Sequence, residues 1–147
     1  MKTIIDPVDR AEVIGRLRKL TPDAKALWGK FTVGTMVTHL LDSTRMTLDE
    51  IKGMRTGMPI LSWPGFKQLF MLGLPFGKGA PTAPQLLTTQ PAAISADVDR
   101  VVAQLERFAK ADAPVAATHP AFGSMTKDTW GKLGYRHFDH HLRQFGV

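Results

Sequence analysis

The sequence predicts an all-α domain, an antiparallel four-helix bundle interrupted by a long irregular crossing segment. Three observations carry that expectation. Four stretches repeat apolar residues at helical spacing, each opens near a capping residue, and no stretch shows the strict alternation of a half-buried strand. A chain of 147 residues, 44% hydrophobic and 22% charged, has the size and balance of one ordinary globular domain spanning 1–147.

The first helix is expected over Val8 to Leu20, with Val13, Ile14, Leu17 and Leu20 forming its stripe. Asp6 is placed to cap it and Pro7 suits its first position. Thr21-Pro22-Asp23 breaks it, with a short helical piece expected through Ala26, Leu27 and Trp28. Thr32 is the candidate cap of the second helix, Val33 to about Leu48, whose apolar face comprises Val33, Met36, Val37, Leu40, Leu41, Thr44 and Leu48. His39 falls on the edge of that face.

From Lys52 to Pro91, glycine and proline punctuate the chain repeatedly, the signature of an irregular crossing. Within it, Ser62 to Leu72 has the pattern of two or three helical turns, capped by Ser62 and closed by Gly73. Gly77 to Gln90 reads as an extended excursion over the surface. The Trp63 to Phe76 stretch is apolar enough to line a pocket, to pack as an insertion, or to form a homodimer contact. Ser95 or Asp97 then opens the third helix, with Val98, Val101, Val102, Leu105 and Phe108 inward and Ala111 to Pro114 ending it. After a loop through His119 to Met125, Thr126 caps the fourth helix, Lys127 to Phe145, which Gly146 stops.

Composition narrows the chemistry. The chain has no cysteine, so disulfides, thiolate metal sites and a cysteine nucleophile are excluded, and any thiol chemistry needs a thiol from outside. The start, Met1-Lys2-Thr3-Ile4-Ile5-Asp6-Pro7, turns polar too early for a signal sequence, and no run of 18 apolar residues occurs. A cytoplasmic protein with no membrane span is the expectation. The net charge of +6 is scattered, densest at Arg16, Arg18 and Lys19, and is not interleaved with aromatic residues. That argues against nucleic acid and for a surface that attracts an anionic small molecule.

The chemistry-bearing feature is the last helix, where three of five histidines fall at 137, 140 and 141. His137 and His141 stand four residues apart, so their imidazoles project from one face, one turn above the other. Two ligands for one metal ion follow from that spacing, as does a pair of interior histidines satisfied by carbonyls. His39 supplies a third ligand if the second and fourth helices pack. His140 lies about 100° from His141 around the helix and is expected to face away. His119, before a proline, reads as a packing or turn residue, and Asp139 and Gln144 as groups beside the ligands.

Two segments also carry a resemblance. Thr32-Val33-Gly34-Thr35-Met36-Val37-Thr38-His39-Leu40 resembles the first ligand helix of the DinB-like superfamily, and His137-Phe138-Asp139-His140-His141-Leu142-Arg143-Gln144 resembles its last. With Leu27-Trp28-Gly29-Lys30, His119-Pro120-Ala121-Phe122-Gly123 and Trp130-Gly131-Lys132-Leu133, the chain is similar over nearly its whole length to a branch of that superfamily catalogued as a domain of unknown function.

The resemblance implies a four-helix bundle with a divalent metal, zinc or nickel before iron, held by His39, His137 and His141. It further implies a thiol S-transferase, or a hydrolase, acting on a small-molecule substrate with a low-molecular-weight thiol or water as nucleophile, and Gln144 as a group orienting a ligand at the metal. The other class open at this point is a non-catalytic binding or stress-response protein whose three-histidine site is structural or vacant.

Overall fold

The computed structural model describes residues 1–52, 65, 68–70, 73–74, 76–77 and 82–147. The fold is all-α, as expected. Its four long helices are α1 (Pro7–Leu17), α2 (Val33–Thr47), α3 (Ile94–Ala109) and α4 (Lys127–Gln144). Among the described residues no helix is long and apolar enough to cross a membrane.

Capping accounts for where these helices begin. The Asp6 carboxylate accepts from the amides of Val8 and Asp9, and Pro7 occupies a first-turn position where no amide hydrogen is needed. Thr32 and Thr35 form a reciprocal capping box at the head of α2, and Thr126 accepts from the Thr129 amide at the head of α4. At the end of α4, Gly146 takes φ +76°, the left-handed conformation that stops a helix.

Three expectations are corrected. α1 ends three residues early, at Leu17, although Leu20 remains buried behind it. α3 begins at Ile94 with Ala93 as its cap, earlier than Ser95 or Asp97. Asp97 instead reaches back from inside the first turn, accepting the Ala92 amide at 2.7 Å while fully buried. The Ala26 to Trp28 piece is not helical, because the Leu27 amide is taken by the Gln144 carbonyl at 2.7 Å.

The loop before α4 holds what periodicity had no length to show. Thr118–His119 (β1) and Gly123–Ser124 (β2) pair antiparallel, Thr118 with Ser124 and His119 with Gly123. Of the helix expected at Ser62 to Leu72, Gly65 and Gln68 to Phe70 are helical; Ser62, Trp63 and the remainder lie outside the described residues. Gly77 to Gln90 is not simply a surface excursion. It contains a 3₁₀ turn, Pro84–Leu86, that lies against α2.

The helices pack as two pairs, α2 on α3 and α1 on α4, with lighter contact between pairs. Val13 and Leu17 of α1, Met36, Val37, Leu40 and Leu41 of α2, Val101 and Leu105 of α3 and Leu142 of α4 are almost fully buried in one core. The N-terminal strand of chain closes one side, the Ile4 amide donating to the Gly131 carbonyl at 3.1 Å.

Candidate metal centre

Two helical turns into α2, His39 points inward and is 3% exposed. From α4, His141 is 7% exposed and His137 half-buried. The spacing of the α4 pair and the packing of α2 against α4 bring the rings together. His39 Nε2 lies 3.0 Å from His137 Nε2, and His141 Nε2 lies 3.1 Å from the same atom. One nitrogen from each of the three rings falls within 4.8 Å of the others. The three histidine rings expected to meet do lie together.

The partners behind the rings fix their protonation. His39 Nδ1 lies 3.1 Å from the Leu86 carbonyl, which can only accept, so Nδ1 carries the proton. His141 Nδ1 lies 2.8 Å from Gln144 Oε1. The amide of Gln144 is itself oriented, because its Nε2 donates to the Trp28 carbonyl at 2.7 Å. His141 therefore donates from Nδ1 as well. Both rings present bare Nε2 lone pairs to His137.

A single N–H on His137 Nε2 would satisfy one of those lone pairs and leave the other facing it. A cation among the three resolves the conflict. Separations of 3.0 and 3.1 Å are also near those of two nitrogens bonded at about 2.1 Å to one ion, roughly 3.0 Å at a right angle and roughly 3.4 Å at the tetrahedral angle. Three neutral imidazoles suit zinc, nickel, iron or copper, and ligating histidines characteristically donate their other nitrogen to a carbonyl or amide oxygen.

Electrostatics favour the ligand form. Burial pulls the His39 imidazole below its usual value, and burial together with the neighbouring rings pulls His137 well below it. Burial and the proximity of His39 lower His141 to about 3, against a smaller opposing effect of Gln144. All three rings are neutral at pH 7.

Around them, Phe31 stacks on His39 with centroids 5.2 Å apart and meets His141 edge-on at 5.6 Å. Phe76, from the crossing segment, lies 5.6 Å from His137. Arg136 donates to the carbonyls of Phe70 and Leu74 and lies over the Phe70 ring, 4.6 Å from its centroid, tying that segment to α4 beside His137. The histidines open onto a cavity of about 1310 Å³ lined mostly by apolar side chains, among them Met46, Leu105, Phe122 and Leu133.

Other candidates take different places. Gln144 sits behind His141, on the ring nitrogen away from the cluster, where it sets the tautomer. Asp139 faces α1 and accepts from Arg16 and Arg143. His119 accepts the Ala121 and Phe122 amides at Nδ1 and so closes its turn. His140 does not face away: its ring lies 5.1 Å from His141 and lines the cavity, which is wide enough to receive a side chain turned 100° around the helix. Leu86 and Asp42 had no sequence signal as site residues. Asp42, one turn after His39, accepts from the amides and hydroxyls of both Thr88 and Thr89, and so anchors the chain two residues beyond the carbonyl that holds His39.

A family model matches residues 5–146, that of the family described as a protein of unknown function, DUF1569. The chain belongs to this family. The DUF1569 match takes in all four helices and the three clustered histidines. No curated protein and no solved structure matches the chain.

Proposed function

We propose that this DUF1569 chain is a metal-dependent enzyme of the DinB-like kind, holding a divalent ion on His39, His137 and His141 and acting on a small molecule by thiol transfer or hydrolysis. The observation that supports it is the convergence of three Nε2 atoms, two of them deprotonated by hydrogen bonds made behind the ring. Zinc or nickel fits three neutral imidazoles, with iron also accommodated.

When bound, such an ion supplies Lewis acidity that lowers the pKa of a thiol or water reaching it. The chain's own residues do the rest. The Leu86 carbonyl and Gln144 hold two rings in register, Phe31 and Phe76 keep bulk water from them, and the apolar cavity receives the substrate body. Thiol transfer needs a thiol brought in from outside, since the chain has none.

Elemental analysis of untagged protein tests this directly. About one divalent ion per chain is expected in the native protein and little in His141→Ala. A metal-free native protein that also fails to take up added zinc would overturn the proposal and leave a binding protein with a structural histidine cluster.

A further inference from the structure

Beyond the histidines, the same cavity contains two polar side chains with no partner among the described residues. The first is Ser43, one turn after His39 on α2 and only 8% exposed. Its neighbours on the helix behave differently: the hydroxyls of Thr38, Thr44 and Thr47 each bond back to the carbonyl four residues earlier. The Ser43 hydroxyl makes no such bond and lines the cavity. The second is Gln85, whose Oε1 is buried without a donor on the 3₁₀ turn beside α2. It lines the cavity too.

Buried polar atoms in native proteins are nearly always paired, and each exception calls for an explanation, of which a partner group brought by water, an ion or a ligand is one. The remaining lining defines that ligand's body. It is apolar or uncharged apart from Lys30, which is exposed.

We propose that the cavity binds a small molecule with a hydrocarbon body and an uncharged hydroxyl or amide N–H that is read by Ser43 and Gln85. The inference names the substrate class of the site proposed above and rests on that reading for its catalytic meaning. Gln85 Oε1 takes the donor; the Ser43 hydroxyl turns to give or accept as the group requires. A purely hydrocarbon ligand leaves both unpaired, and a charged group placed between Ser43 and Gln85 loses its hydration with no charged side chain in the lining but the exposed Lys30 to answer it.

The test compares 1-octanol with 1-methoxyheptane, two probes of equal heavy-atom count of which only the alcohol has an O–H donor. Calorimetric titration uses the full-length chain as purified and again after chelation. The alcohol is expected to bind about ten-fold more tightly, the scale of one buried hydrogen bond with its partner otherwise left unpaired. Gln85→Leu abolishes the preference and Ser43→Ala reduces it by about three-fold or more. Without ligand, both variants keep or raise the melting temperature, since each deletes an atom that has no partner to lose. Equal binding of the two probes, binding of neither, or variants that lower the melting temperature while keeping the preference would each overturn the proposal. Because the chelated arm contains no metal, failure of the metal assay and failure of this one are separable.

Discussion

The hydroxyl of Thr89 donates to Asp42 Oδ1 at 2.6 Å, the shortest of the four bonds by which Asp42 of α2 holds Thr88 and Thr89 of the crossing segment. Burial alone would raise the Asp42 pKa, but the bonds from Thr89 and Thr88 outweigh it and hold the carboxyl below its ordinary value. A carboxylate whose folded pKa is depressed contributes stability that is present above its unfolded value, about 3.9, and lost as pH falls through the folded value. Asp42→Asn is expected to cost about 3 kcal/mol at pH 7 and less at pH 3, measured by urea unfolding. Equal cost at both pH values contradicts the assignment.

Gln144 has a consequence that separates orientation from stability. Gln144→Leu releases the His141 ring from its tautomer and should weaken zinc by about ten- to a hundred-fold in competition with a chelator. Gly29→Ala is expected to act on the same amide from the other side. Its φ of +79° is strained for alanine, and the new Cβ would stand 2.6 Å from Gln144 Nε2. Unchanged zinc affinity in both variants would remove Gln144 from the site.

The histidines should make the metal-free protein acid-sensitive. His39, His137 and His141 are all lowered in the folded chain, so below about pH 6.5 the unfolded chain binds more protons. Stability is intact above that pH and falls below it, at up to about 1.4 kcal/mol per unit for each ring, continuing for His141 toward about 3. Urea midpoints in the presence of a chelator at pH 7.5 and 5.5 check this. Added zinc should raise the first midpoint more than the second, because protons compete for the same nitrogens. A flat profile would mean that the rings are solvated.

At Gly131 the N-terminal segment lies directly on α4. A Cβ there would run into Thr3 Oγ1 and meet Ile5 Cγ1 at 2.9 Å. Gly131→Ala gains about 1 kcal/mol of helix propensity yet forces the segment outward, at a cost of about 1–3 kcal/mol. Net destabilisation, with a lowered melting temperature, is the expected outcome. A stabilised variant would show that the segment gives way freely.

What was legible in the sequence was what has a period or a cap. Asp6, Thr32 and Thr126 announced three helix starts because a short acceptor before an apolar stripe has few other uses. The start of α3 was misplaced because Ala93 caps without a side chain and Asp97 works backward from within the helix. His137 and His141 were legible as a pair from a four-residue spacing, and their meeting with His39 is a matter of packing across 98 residues. The groups that orient the rings were not. Leu86 acts through its carbonyl, which every residue has, and nothing in a serine's neighbours tells whether its hydroxyl folds back on the helix as Thr44 does or stays open as Ser43 does.

The packing of the bundle as two helix pairs puts the histidines in an informative position. His39 belongs to the α2–α3 half and His137 and His141 to the α1–α4 half, so the cluster spans the seam between the halves, where contact is lighter than within either. Anything gripped by all three rings works as a clasp. Its arrival stiffens the molecule across that line, and amide hydrogen exchange should slow on the facing sides of α2 and α4 while α1 and the outer face of α3 stay unchanged. An ion gripped there would set how far the two halves of the molecule move as one body.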